Sequence, residues 1–366
     1  MISKDFFRAL TLLAAEREIP VERLLDIFKK GLESAYKKQY DKAENVVVEF
    51  QPEKNKILLF SQREVVSEYP EGSQDAEFIL LEDAKKIRKS AKVGDSISME
   101  ITPKDFGRLA ASQTKQILNQ GLKDYEKELA FNHFKDLENE MTNAIVVAMN
   151  DNFITLNLDK NTTTNLPLTE LVPGDEFKIG DRIKVYITKV ELQQEKKRPK
   201  IFVSRKDRNL VRRMFETVVP EIVDGTVEIM GLARDAGDRS KVAVMSFDDN
   251  VDPIGACLGQ GGSRIKEIIQ GLNGEKIDVF AWADDPKHLI ANSLQPAVTV
   301  GAIINPKKKE SIAIVADDYL SLAIGKRGQN VRLAVQATGW KIDIKSLSEA
   351  LKEDLHFERI IIEKNE

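Results

Sequence analysis

The sequence predicts a multidomain protein of mixed α/β and β class. It has an N-terminal α+β domain with a long connecting helix, then a small β-barrel, then two tandem copies of one α/β module. Three observations predict this. The hydrophobic period switches from three-and-four to two and back within residues 1–137, residues 138–206 read as short strands and turns alone, and a segment around Gly259 recurs around Gly325.

In residues 3–40 two amphipathic helices are expected, the first capped by Ser3 and the second with Pro20 in its first turn. Val21, Leu24, Leu25, Phe28, Leu32 and Tyr36 form one apolar stripe on the second. "NVVVEF" and "KILLFSQREVV" read as strands around the turn "QPEKN"; "LEDAKKIRKSA" reads as a short helix and "GDSISMEI" as a further strand. From Gly107 to about Leu137 one helix of about 45 Å is expected, with Leu118, Leu122, Tyr125 and Leu129 on one face. In residues 138–206, "AIVVAMNDNFITLNL" carries Asn-Asp-Asn between two β-branched runs, a hairpin signal. With "GDRIKVYITKVEL" and "KIFVSR" the region supplies about five strands, enough for a small OB-type barrel.

A Gly-x-x-Gly tetrad alone says little, because 20 glycines in 366 residues supply about one by chance. The chain has three, and two share a context. In "ACLGQGGSRIKEIIQGLNGEKIDV" and "LAIGKRGQNVRLAVQATGWKIDI", Gly259 and Gly262 fall on Gly325 and Gly328, an offset of 66. Ile265 then meets Val331, Lys266 meets Arg332, and Gln270 meets Gln336; upstream, "KVAV" (241–244) matches "SIAI" (311–314) and Asp252 matches Asp318. Each copy reads strand, strand, short helix, tetrad, helix, strand. The third tetrad, Gly271/Gly274, ends a helix and turns the chain.

A glycine pair between two helices lets the backbone approach a nucleic-acid strand with no Cβ in the way. The next helix then turns free N–H groups and the positive end of its dipole toward phosphate. This order of elements is that of a KH module in its bacterial, type II arrangement, which clamps about four nucleotides of single-stranded RNA. The bland alternative, a helix–turn–helix hairpin without a ligand, accounts for neither the duplication nor Lys326-Arg327.

Charge and composition bound the partners. The net charge is −4, yet residues 44–83 hold ten acidic and three basic side chains and residues 195–213 hold nine basic and two acidic, so a polyanion meets a strongly basic stretch. No apolar run is long enough to cross a bilayer, the start "MISKDFFRAL" has no signal-peptide core, and the single cysteine, Cys257, forms no internal disulfide. These features point to the cytoplasm and away from a membrane. Cys257 is expected in the core, and Trp282 and Trp340 in packing. The spacing of Cys and His offers no metal site, and no Walker loop or cofactor motif occurs; neither a cofactor nor a metal is expected, and no catalytic residue is assigned.

The residues resemble a known family. "VDPIGACLGQGGSRIKEIIQGLNGEKIDVFAW" and "DDYLSLAIGKRGQNVRLAVQATGWKIDI" closely resemble the paired KH modules of the NusA family of bacterial transcription elongation and termination factors. "LESAYKKQY" and "DFGRLAASQTKQIL" are similar to that family's polymerase-binding domain, and "GDRIKVYI" and "VSRKDRNLVRRMF" to the end of its OB-type (S1-type) barrel. The resemblance runs from about residue 1 to 346 and implies five segments: an N-terminal RNA polymerase-binding domain at 1–137, the barrel at 138–206, a first KH module at 207–284, a second at 285–346, and a tail at 347–366. It implies a monomeric, non-enzymatic factor that docks on RNA polymerase core and nascent single-stranded RNA, acts in pausing, intrinsic termination and antitermination, and meets other antitermination factors.

The expected RNA-binding residues are Gly325, Lys326, Arg327, Gly328, Asn330 and Arg332 in the second copy. In the first they are Gly259, Gln260, Gly261, Gly262, Arg264 and Lys266. Because Gln260 and Gly261 carry no charge, the first copy's phosphate contact is expected to shift to Arg264 and Lys266. Arg205, Lys206, Arg208, Arg212 and Arg213 are read as a basic seam between barrel and first module, and Phe153 as the barrel's one stacking aromatic. For Asn330, contact with a base and capping of the backbone stand equal. Arg108 and Lys115 are polymerase contacts only through the family. The competing class is an RNA-processing or ribosome-associated subunit without polymerase contact, which residues 1–137 would distinguish.

Overall fold

The computed structural model describes residues 6–17, 19–40, 45–51, 54, 56–70, 77–103, 106–159, 162–193 and 198–360. Ser3, most of the turn "QPEKN", Lys196 and Lys197, and the last six residues of the tail lie outside them. The chain divides into two compact units, 1–129 and 130–366.

In the first unit, α1 (Phe6–Glu16) and α2 (Val21–Tyr40) precede β1 (Val46–Gln51), β2 (Lys56–Val66), β3 (Phe78–Leu80), α3 (Leu81–Ile87) and β4 (Ser96–Glu100); α4 (Phe106–Asp136) begins here and ends in the second unit. Strand β2 is the centre of the sheet, antiparallel to β1 and β4 and parallel to β3. The stripe on α2 buries Leu24, Phe28, Leu32 and Tyr36, four apart, and this face meets alternate residues Val46, Val48, Ile57 and Leu59 of the sheet. Phe28 also contacts Phe6 and Phe50, with ring centroids 4.9 and 5.9 Å away. Two expectations shift. Pro20 lies one residue ahead of α2, where its carbonyl accepts from Arg23 and Leu24, and Leu129 on α4 is exposed rather than part of the packed face.

In the second unit β5 (Met141–Met149), β6 (Phe153–Asn157), β7 (Thr163–Pro167), β8 (Arg182–Gln193) and β9 (Arg198–Ser204) form an antiparallel sheet in the order β7-β6-β5-β8-β9. Asn150 to Asn152 make the expected turn, with Asn150 Oδ1 accepting from two backbone amides. Thr164 on β7 donates to the Ile201 carbonyl on β9, so the two edge strands meet and the sheet nearly closes. Alternate residues Ala144, Val146, Ile154, Leu156, Val185 and Val203 fill the interior, and Phe134 from the end of α4 joins them.

The first module comprises α5 (Arg208–Val218), α6 (Pro220–Val223), β10 (Val227–Asp235), β11 (Arg239–Ser246), α7 (Pro253–Leu258), α8 (Ser263–Gly271) and β12 (Lys276–Ala281). The second repeats the order with α9 (Pro286–Ser293), β13 (Thr299–Asn305), β14 (Glu310–Val315), α10 (Leu320–Ile324), α11 (Gln329–Thr338) and β15 (Lys341–Ser346). In both, the first two strands are antiparallel and the third runs parallel to the second. The strand registers refine the sequence match. Arg239 pairs with Lys276 and Glu310 with Lys341, so Val242 corresponds to Ala313 and "KVAV" aligns one residue later than "SIAI" suggests. Asp252 caps α7, accepting from Ile254 and Gly255, whereas Asp318 sits in a one-turn 3-10 segment before α10 and caps nothing there.

The modules share a core. Ala233, Ala243 and Phe280 from the first sheet pack with Leu289, Ile290, Leu333 and Ala337 from α9 and α11 of the second. Cys257 and Val242 face the other way, into the first module's own helices. Burial pushes the Cys257 thiol up to about 12. Near pH 8 only about one thiol in ten thousand is then ionised. The expected result is no alkylation of the native chain by iodoacetamide and complete alkylation in denaturant, read by mass. The start of the tail is structured: α12 (Leu347–Lys352) is held by a Ser346–Glu349 capping box, and β16 (Glu358–Arg359) pairs with β13 at the free edge of the second sheet.

Candidate nucleic-acid interface

The two tetrad loops have the same backbone. Gly259 and Gly325, at φ 71° and 76°, end α7 and α10; after them Gly261 and Arg327, at φ 61° and 53°, and then Gly262 and Gly328, at φ 74° and 73°, all lie in the left-handed region. The sequence spacing therefore encodes one loop shape. The first glycine is required by close approach, since a Cβ on Gly325 would lie 2.7 Å from the Asn330 amide nitrogen. The two loops differ at the third position: the first uses glycine for the left-handed turn, the second forces Arg327 into it.

That contrast gives a prediction. A non-glycine residue in this region costs about 1 kcal/mol, and a buried functional need is the usual reason for keeping it. Arg327→Gly is expected to raise stability by no more than about 0.5 kcal/mol, after the entropy of the freer unfolded chain is discounted, while weakening RNA binding. Chemical denaturation and RNA titration of one variant check both signs.

Lys326 and Arg327 are exposed, and neither side chain forms an ion pair among the described residues. They project from the loop into which the N-terminus of α11 points. Leu258 and Ile324, at matching positions just before the first glycines, are also exposed, so each loop has an apolar neighbour on which a base can rest. Sequence reading missed this pair; the offset of 66 that aligned the glycines also aligned them.

The other expected contacts divide. Lys206 and Arg208 are exposed, and Lys266 is exposed with Nζ donating to the Gly261 carbonyl at 2.9 Å, on the first loop itself. Gln260 and Gly261 are exposed. Arg264 is a correction: it donates to Glu221 at 2.8 Å and to the Ala256 carbonyl at 2.6 Å, fixing α6 and α7 to α8. Arg332 donates to Asp235 at 2.7 Å. Asn330 is buried, and its Nδ2 donates to the Leu294 and Ala323 carbonyls at 3.1 and 3.0 Å, so backbone capping wins over base contact.

The basic seam also breaks up. Arg205 is a correction, because its guanidinium is buried against Asp175 in a two-pronged pair, Nε–Oδ2 2.8 Å and Nη2–Oδ1 2.9 Å. It donates as well to the Lys184 carbonyl and lies over the Phe177 ring. A guanidinium held this way and buried is turned away from RNA. Arg212 donates to the Ile229 carbonyl inside the first module, and Arg213 donates to the Asn139 carbonyl and Glu216 with Glu140 close by, so Arg213 joins barrel and first module. Phe153 is half-buried. Arg108 and Lys115 are exposed and seven residues apart on one face of α4. Among the described residues no cluster of His, Cys, Asp and Glu could hold a metal ion, and no helix is long and apolar enough to cross a membrane.

A five-stranded barrel followed by two type II KH modules defines a nucleic-acid-binding protein of modular, single-strand type. Sequence comparison narrows this. The family profile of the NusA N-terminal domain matches residues 5–128, that of the NusA-like first KH domain residues 205–282, and that of the NusA-like second KH domain residues 286–352. The protein is 43% identical over 349 residues to the transcription termination/antitermination protein NusA of Bacillus subtilis, covering 95% of this chain and 92% of that one. The Halalkalibacterium halodurans protein of that name is also 43% identical, across 95% of this chain and 90% of its own, and that of Thermus thermophilus is 36% identical, across 96% and 93%. The chain belongs to the NusA family.

Proposed function

We propose that this chain is an RNA-binding transcription factor that docks on RNA polymerase and on nascent RNA and so modulates pausing, intrinsic termination and antitermination. The observation that carries the reading is the duplicated loop, above all the second copy, where two exposed cations, without an ion pair among the described residues, sit on a glycine-framed turn at the head of a helix. Its relatives are named as termination and antitermination proteins, and the exposed pair Arg108 and Lys115 on α4 suits an acidic surface of the polymerase. The RNA-contacting set is Gly325, Lys326, Arg327 and Gly328 with Gly259 to Gly262, Lys266, Lys206 and Arg208. The role is binding; no chemical step is assigned to any side chain.

The test is addition of the chain to RNA polymerase elongation complexes on a template with a pause site and an intrinsic terminator. The reading expects co-migration with the complex and a changed pause lifetime. Arg108→Glu with Lys115→Glu is expected to weaken the association and to leave affinity for free RNA unchanged. Binding to RNA without association with polymerase would favour the processing or ribosome-associated class instead.

A further inference from the structure

The turn between β10 and β11, Asp235 to Asp238, is touched by the barrel and by both modules. From its own module it is fixed by a buried pair: Arg234 Nη2 lies 2.8 Å from Glu275 Oε2, and that carboxylate also accepts from the Gly237 amide at 2.9 Å and from the Ser240 hydroxyl at 2.6 Å. The Asp238 carbonyl accepts from Lys276 on β12. From the barrel, Val172 and Pro173 lie directly against Gly237, and Asp175 accepts from Asn273 close by. From the second module, Gln329 Nε2 donates to Asp235 Oδ2 at 2.8 Å and to Asp238 Oδ2 at 2.7 Å, and Arg332 Nη2 donates to Asp235 Oδ2 at 2.7 Å.

Gln329 is the residue directly after Gly328, and Arg332 lies one turn further along α11. The clasp therefore grips the helix that carries the second loop. The first copy has no such arrangement: at the matching positions Ser263 is exposed and Lys266 reaches back to its own loop. The two side chains of the Arg332–Asp235 pair are about half exposed, so the pair contributes little to folding. Its position, not its strength, is what matters.

We propose that Asp235 and Asp238 are positioning residues for RNA binding, holding the second loop at a fixed spacing from the first loop and the barrel so that one strand meets both without reorganisation. This rests on the RNA-binding reading above. A rigid spacing raises the effective concentration of the second site once the first is filled, and a loose one lowers it. The carboxylates need not touch RNA for this.

The experiment compares Asp235→Ala/Asp238→Ala with the native chain on two single-stranded RNAs. One is about five nucleotides, enough for one loop, and one about fourteen, enough for two. Melting temperature is followed in parallel, and Asp235→Asn alone serves if the double variant melts early. The expected result is unchanged affinity for the short RNA and about a tenfold loss for the long one, so that the ratio between them falls. Equal loss for both RNAs, or no change in either, would overturn the proposal. Tighter binding of the short RNA with the long one unaffected would overturn it too, and make Asp235 a competitor of phosphate for Arg332. If the native chain bound neither RNA, the functional reading itself would fail and the positioning role with it.

Discussion

Replacing Lys326 and Arg327 together by aspartate is expected to lower the slope of RNA affinity against salt by about 1.4, two phosphate contacts at about 0.7 each. Extrapolated from about 1 M to about 0.15 M salt, that slope amounts to roughly a tenfold loss of affinity. The expectation follows from the geometry. Both side chains are exposed and free of ion pairs among the described residues, so their charge is available to a strand. Gln260→Asp in the first loop is expected to change the slope less than Lys326→Asp, because no cation is removed there. Titrations at several salt concentrations separate the two. An unchanged slope in the double variant would mean that the second loop does not touch phosphate.

The second large effect lies on stability. Arg205→Ala is expected to cost about 3–5 kcal/mol, the usual penalty for leaving one member of a buried pair without its partner. Both side chains of the Arg205–Asp175 pair are almost wholly buried, and among the described residues the alanine leaves the carboxylate with the Asn273 amide and the Val172 backbone N–H alone. Urea denaturation reads the loss. The salt slope for RNA, measured on folded protein, is expected to stay at the native value. The reverse pattern, native stability with a reduced slope, would return Arg205 to the RNA surface.

Arg205 and Arg327 show what a sequence discloses and what it withholds. The repeated loop was legible because its signal is local: glycines are needed where φ is positive or a Cβ would clash, and both copies meet that need at the same spacing. The stripe on α2 and the hairpin at Asn150 to Asn152 were legible for the same reason. The basic run at 205–213 looked like one surface, but its side chains part company in three dimensions. Arg205 turns into the barrel, Arg213 bridges to Asn139, and Lys206 and Arg208 stay in solvent. The partner of Arg205 is 30 residues away, and no period marks it. The clasp on Asp235 is more distant still, 97 residues from Arg332. Even within the repeat, "KVAV" and "SIAI" match best one residue away from the register that the strand pairing adopts, because alternation of small apolar residues tolerates a slip that hydrogen bonding does not.

On the proposed function, this chain meets nascent RNA through its second loop while bound to polymerase. The most direct measurement is photo-crosslinking of a nascent transcript in elongation complexes that carry the chain, with the attached peptides mapped by mass. Crosslinks are expected in the segment from Gly325 to Arg332, with fewer around Gly259 to Lys266 and loss of the first group in the Lys326→Asp/Arg327→Asp variant. Crosslinks confined to the barrel or to residues 1–129, unchanged in that variant, would contradict it.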